Sequence, residues 1–179
     1  MNHPVRMFDY HAWATQTLLE RIKELPSTVL QQEVNTSFPT IGEAFAHVYA
    51  LDKCWLQILN GTSMPKALEA CLPLQQETLR YSVDEFAIAF SELAEQFGAW
   101  FRSQDDLEQF IALENPYAGT RSIRFSEIVL QVVNHGTYHR GNVSAMLRQL
   151  GHASTMNDYS LFWYRESPKL MSEEEQNDV

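Results

Sequence analysis

Residues 126–151 read SEIVLQVVNHGTYHRGNVSAMLRQLG and carry the clearest helical pattern in the chain. Side chains at steps of three and four lie on one face of an α-helix. The positions that share this spacing are Ile128, Val132, His135, His139, Asn142, Met146 and Leu150. Ser126 is the predicted N-cap and Gly151 the stop signal. The segment predicts an amphipathic helix whose inner face holds polar as well as apolar side chains.

Three earlier segments show the same spacing. The first ends at Pro26, the second begins at a capping box formed by Thr40 and Glu43, and the third begins at a capping box formed by Ser82 and Glu85. Their inner faces are Phe8, Ala12, Thr15, Leu19 and Ile22; Ala44, His47, Leu51, Cys54, Trp55 and Ile58; and Phe86, Phe90, Leu93, Phe97 and Trp100. Four amphipathic helices predict an all-α fold, a four-helix bundle.

The connections between these helices are long. Residues 62–81 contain Pro65 and Pro73 and are predicted to cross over the bundle surface. Residues 109–113 and 121–125 flank a turn signal and predict a short two-stranded excursion before the last bundle helix. A short fifth helix is expected within residues 158–164.

Composition indicates one domain and argues against a nucleic-acid partner. The 179 residues are 45% hydrophobic, enough for a single core, which we place at residues 1–166. Residues 167–179 are an acidic tail, expected to be solvated. The net charge is −10 and the basic residues are scattered, whereas a DNA binder needs a basic face to displace counterions.

No segment has the pattern of a membrane span or a signal peptide. Asp9 and His11 interrupt the start of the chain, so we expect a cytoplasmic protein without a membrane partner. Cys54 and Cys71 lack the spacing of a zinc-thiolate or redox pair and are predicted to be buried thiols.

Three histidines occupy inner-face positions. His135 and His139 are four residues apart, so their rings can reach one metal ion, and His47 lies on the inner face of another helix. A divalent metal site and a set of core histidines satisfied by hydrogen bonds are both compatible with this spacing. His3, His11 and His152 are expected at the surface.

The residues near these histidines exclude one enzyme class and leave other roles open. Gly136 follows His135 where a zincin metallopeptidase carries its glutamate base. Glu43 could cap its helix, orient His47 or act as a base, and the cap is favoured. Asp52 is expected at the surface or paired with arginine. Arg140 is expected to point away from an ion bound by His139. It could then pair with Asp52 or lie at a dimer surface.

Several motifs together resemble the DinB/YfiT-like family. They are the runs 134–142 and 147–151, the aromatic start at 10–14, the histidine-bearing run 47–55 and the pair Asp158–Tyr159. The resemblance extends from about Met7 to Tyr164. The family often has glutamine at the position of Asn142 and asparagine at that of Thr15.

The resemblance implies a four-helix bundle, often a homodimer, in which His47, His135 and His139 bind one divalent metal, zinc or nickel. It also implies transfer of a low-molecular-weight thiol to an electrophile, or metal-dependent hydrolysis. Three neutral imidazoles leave a coordination position open, and a thiol brings its own nucleophile, whereas hydrolysis needs a protein base. The inner faces offer no obvious base, which favours a thiol and an electrophile as small-molecule partners. A non-enzymatic metal-binding stress protein is the alternative of a different class.

Overall fold

The computed structural model describes residues 3–165, so the acidic tail lies outside the described residues. The elements in chain order are α1 (His3–Lys23), a 3-10 turn (Ser27–Gln31), α2 (Ile41–Leu59), α3 (Met64–Thr78), α4 (Val83–Arg102), β1 (Phe110–Asn115), β2 (Gly119–Arg124), α5 (Phe125–Gln149) and α6 (Tyr159–Trp163). Within these residues, none of the helices is both long and apolar enough to cross a membrane.

The four predicted amphipathic helices are α1, α2, α4 and α5, and they form the bundle. Helix α1 packs against α4 and α5, and α2 packs against α5. Both capping predictions are confirmed at the N-cap side chain: Thr40 Oγ1 accepts from Glu43 N at 3.1 Å, and Ser82 Oγ from Glu85 N at 3.2 Å. These caps satisfy amide groups that an α-helix leaves free at its start.

The crossover between α2 and α4, for which the sequence predicted a path over the bundle surface but no helix, is mostly helical. Helix α3 begins next to Pro65, at a position where proline is well tolerated, and contains Pro73 in its interior. It packs along α2 and buries Cys71 and Thr78. Packing on α2 therefore outweighs the usual cost of an interior proline.

The two-stranded excursion is present as an antiparallel hairpin, with Phe110 opposite Arg124 and Asn115 opposite Gly119. It leads directly into α5. The predicted N-cap at Ser126 is wrong, because α5 already begins at Phe125. Glu127 Oε2 accepts from the backbone N–H of Arg124 at 3.0 Å and satisfies the helix start instead.

The apolar core consists of two halves, one around Phe97 and the other around Phe86. On α5 the first half ends at Val133 and the second begins at Val143. The stretch between them carries the paired histidines and Arg140. A layer of polar side chains therefore lies between the two halves of the bundle.

Candidate metal centre

The rings of His47, His135 and His139 converge between α2 and α5. The Nε2 atom of His135 lies 3.2 Å from that of His47 and 3.0 Å from that of His139. All three ligand atoms lie within 4.8 Å of one another, close enough to hold one metal ion. The structure thus brings together the three histidines that the sequence singled out.

Burial keeps these imidazoles neutral. Desolvation, together with repulsion from the neighbouring rings, lowers the pKa of His135 to about 4. Desolvation and His47 lower the pKa of His139 to about 4 as well. Desolvation also lowers the pKa of His47, against the opposing effect of a side-chain hydrogen bond with Gln75 of α3. Neutral imidazole is the form that binds a metal ion.

The donor set fits a divalent metal. Two nitrogens bound to one tetrahedral zinc ion lie about 3.3 Å apart. The separations of His135 Nε2 from the Nε2 atoms of His47 and His139 are close to this value. Within the described residues the cluster contains no carboxylate or thiolate. Three histidines with a free position are typical of catalytic rather than structural zinc sites.

Aromatic rings form one wall of the cluster. The Phe38 ring centroid lies 5.2 Å from that of His47 and 5.3 Å from that of His139, and the exposed Tyr138 packs edge-on against His139. Cys54 is buried and does not join the cluster. Apolar walls strengthen the electrostatic interactions of a bound ion because they exclude water.

Metal-free protein is expected to lose stability as the pH falls from 6.5 towards 4. The folded-state pKa of His135 and His139 is depressed, so the unfolded chain binds more protons in this window. The stability that the neutral rings contribute is present above pH 6.5 and is lost on acidification. After allowance for partial exposure, we expect a loss of about 1–2 kcal/mol per ring. Urea denaturation at a series of pH values measures it, and a flat profile would contradict it.

A second buried polar group lies beside the cluster and corrects two predictions. His11 was expected at the surface, and Asp52 at the surface or paired with arginine, but each is only 2% exposed. His11 Nε2 lies 2.9 Å from Asp52 Oδ2, and His11 Nδ1 lies 2.8 Å from Arg140 Nη1. Arg140 thus meets Asp52 through His11. Its guanidinium also donates to Thr15 and Thr137.

The arginine fixes the tautomer of His11. A guanidinium can only donate, so His11 Nδ1 must be the acceptor of this hydrogen bond. The proton of neutral His11 is therefore on Nε2, from which it is donated to Asp52. The chain Asp52–His11–Arg140, called here the buried triad, links α2, α1 and α5 through charge-assisted hydrogen bonds.

Gly136 gives His11 room to approach α5. A Cβ atom at this position would overlap the His11 ring and lie 3.0 Å from Arg140 Nη1. Both side chains are buried and hydrogen-bonded, so neither can move away freely.

Gly136→Ala is therefore expected to lower the free energy of unfolding by about 1–3 kcal/mol, as overpacked cores do. Gly141→Ala is the matched control on the same helix, because nothing lies within 4 Å of its added Cβ. That control should gain up to about 1 kcal/mol from helix propensity. Chemical denaturation compares the two, and a stabilised Gly136→Ala protein would contradict the packing described here.

Comparison with known proteins agrees with this architecture. The sequence model of the DinB family matches residues 1–176 of this chain. The chain belongs to the DinB family. One relative is Protein DinB of Bacillus subtilis (strain 168), 35% identical over 159 residues, which are 89% of this chain and 92% of the relative.

The DinB fold is also seen in a solved structure, that of a DinB-like protein from Bacillus cereus ATCC 10987. It superposes with a TM-score of 0.57 over 82% of this chain and 89% of that chain, at 22% identity. The family resemblance and the helical-bundle fold predicted from the sequence are thereby confirmed.

Two residues that contact this region, His11 and Gln75, were not predicted from the sequence. His11 is three residues after Phe8 and four before Thr15, so helical spacing could have placed it on the inner face. Gln75 belongs to the unpredicted helix α3, and no local signal connects it to His47.

Proposed function

We propose that His47, His135 and His139 bind one divalent metal ion, zinc or nickel, and that the protein transfers a low-molecular-weight thiol to an electrophile. The observation that carries this proposal is the convergence of three neutral imidazoles without a carboxylate among them. Such a donor set leaves the positive charge of an ion uncompensated and favours an anionic ligand.

A bound ion would lower the pKa of an incoming thiol and so supply the thiolate nucleophile. The chain's own residues present three nitrogens and keep them deprotonated, because burial disfavours imidazolium. Phe38 shields two of the rings from water. These roles do not require a protein general base.

The position of Glu43 supports thiol transfer over hydrolysis. Its backbone N–H is bound by Thr40, so the residue is part of the helix start, and its carboxylate does not join the histidine cluster. A hydrolase needs a base within hydrogen-bond reach of the attacking water. Glu43 is therefore proposed as a capping-turn residue.

The test is spectroscopic and uses tag-free protein loaded with cobalt. Adding cysteine or bacillithiol is expected to produce a sulfur-to-cobalt charge-transfer band and to support conjugation of an electrophilic test substrate. His135→Ala should abolish both, and Glu43→Gln should leave both unchanged. If thiols leave the spectrum unaltered while an ester is hydrolysed in a Glu43-dependent manner, the hydrolase replaces the transferase. Inertness to both, with four protein ligands on the cobalt, would favour a non-enzymatic metal protein.

A further inference from the structure

The histidine cluster reaches solvent beside two aromatic side chains. His47 and His135 are partly exposed, whereas His139 is buried. Tyr138 is 62% exposed and packs edge-on against His139, so it lies where the cluster meets solvent. The ring of Phe38 contacts both His47 and His139. The surface formed by Phe38, Tyr138 and the exposed edges of the two histidines is called here the mouth.

The loop before α2 holds Phe38 in place. The backbone N–H of Val34 donates to the carbonyl of Pro39 at 2.8 Å, which closes the loop. Thr36 Oγ1 donates to the carbonyl of Phe38 at 3.0 Å. Val34 and Phe38 also pack against the core half around Phe86. One aromatic wall of the mouth is therefore fixed by the fold.

The segments that border the mouth carry no charge. Residues 34–42 and 128–139 contain no Asp, Glu, Lys or Arg, although these types make up 20% of the chain. The same holds for residues 70–76 of α3, which include the Gln75 that is hydrogen-bonded to His47. Proteins recognise carboxylates and phosphates chiefly with arginine and lysine. None of these three runs offers such a cation to an anionic substrate.

The charged residues that follow two of these runs are engaged elsewhere. Arg140, directly after the α5 run, is buried, and its guanidinium donates to His11 and Thr137. Glu43, directly after the loop run, belongs to the capped start of α2, and its carboxylate does not join the cluster. What the mouth presents to a substrate is therefore aromatic and neutral.

We propose that the electrophile accepted at this site is an uncharged, apolar molecule whose body packs against Phe38 and Tyr138. Aromatic side chains bind apolar surface by burying it and need no charge to do so. An exposed aromatic residue beside a candidate site also marks a surface that a ligand can cover. This inference rests on the proposed function in naming the molecule as the electrophile, whereas the binding surface does not depend on thiol transfer.

Ring-proton NMR tests the surface without any reaction. Tag-free protein in the presence of zinc is titrated with toluene and, separately, with para-toluate, which differs by one carboxylate. Toluene should shift the ring signals of Phe38 and Tyr138 and bind about ten-fold more tightly, because the carboxylate would lose hydration without gaining a cation. Para-toluate binding as tightly as toluene, or toluene shifts confined to other rings, would overturn the proposal.

Tyr138→Ala and Tyr117→Ala are the matched variants for this titration. Tyr138→Ala should weaken toluene binding about ten-fold, because half of the aromatic surface of the mouth is lost. Tyr117 is 90% exposed in the turn between β1 and β2, and its replacement should leave toluene binding unchanged. An equal effect of the two substitutions, or none from Tyr138→Ala, would also count against the proposal.

A matched pair of electrophiles tests the same surface in the reaction. Benzyl bromide and para-(bromomethyl)benzoate react with cysteine by one step: a sulfur–carbon bond forms, the carbon–bromine bond breaks, bromide leaves and the thiol proton passes to solvent. After subtraction of the uncatalysed rate, kcat/KM should be about ten-fold higher for benzyl bromide. Tyr138→Ala should remove most of this preference, whereas Tyr138→Phe, which keeps the ring, should retain it.

The outcomes separate this inference from the proposed function. Conjugation of both electrophiles with equal kcat/KM, or a preference that survives in Tyr138→Ala, would overturn the inference and leave thiol transfer standing. Toluene binding at the mouth without conjugation of either electrophile would overturn thiol transfer. It would also overturn the naming of the bound molecule as an electrophile, but not the apolar binding surface.

Discussion

Zinc added to metal-free protein is expected to raise the melting temperature by about 10 °C. A ligand that binds only the folded state stabilises it by about 4 kcal/mol when its free concentration is a thousand times Kd. For a chain of this size, each kcal/mol corresponds to about 2–4 °C. Removal of the metal with a chelator should reverse the shift. Calorimetry at neutral pH measures both changes.

Single histidine variants show whether the shift belongs to the proposed ligands. His47→Ala, His135→Ala and His139→Ala should each lose most of the zinc-dependent shift. His152→Ala is the matched control, because His152 lies outside the histidine cluster. A shift that survives in His135→Ala, or that disappears in His152→Ala, would contradict ligation by the cluster.

Arg140→Met is expected to destabilise metal-free protein by about 3–5 kcal/mol. Arg140 is 4% exposed and donates to Nδ1 of His11. Its loss therefore leaves the Asp52 carboxylate as a buried charge without a cation in the triad. Methionine retains much of the apolar stem, so the loss reports mainly on charge and hydrogen bonding.

Arg148→Met is the control for that substitution. It lies on the same helix, is exposed, and donates only to the carbonyl of Ser144 among the contacts seen. Its effect should stay within about 0.5 kcal/mol, as at most surface positions. Equal effects of the two substitutions in urea denaturation would show that the buried triad contributes little.

The histidine cluster could be predicted because its residues follow the rule that shapes the rest of the bundle. His47, His135 and His139 replace apolar residues at inner-face positions, so helical spacing alone places them inside. His11 obeys the same spacing, yet its neighbour Ala12 fits an apolar stripe equally well. The partner that stabilises buried His11 is Asp52, 41 residues away, and such pairing has no local signal.

Helix α3 shows a different limit of sequence analysis. Met64, Ala67, Cys71 and Thr78 are buried at helical spacing, but Pro73 interrupts the pattern and favours a loop by local propensity. Packing against α2 stabilises α3 as a helix in spite of Pro73. The same packing places Gln75 beside His47. Tertiary packing therefore supplies part of the candidate site that local preferences do not reveal.

X-ray absorption spectroscopy of tag-free protein, combined with metal analysis, tests the central claim most directly. The proposed site predicts one divalent ion per chain, bound by three imidazole nitrogens and at least one ligand that the protein does not supply. His135→Ala should lose the ion. Protein that binds no divalent metal when zinc and nickel are offered, or an ion held by four protein ligands, would contradict the account.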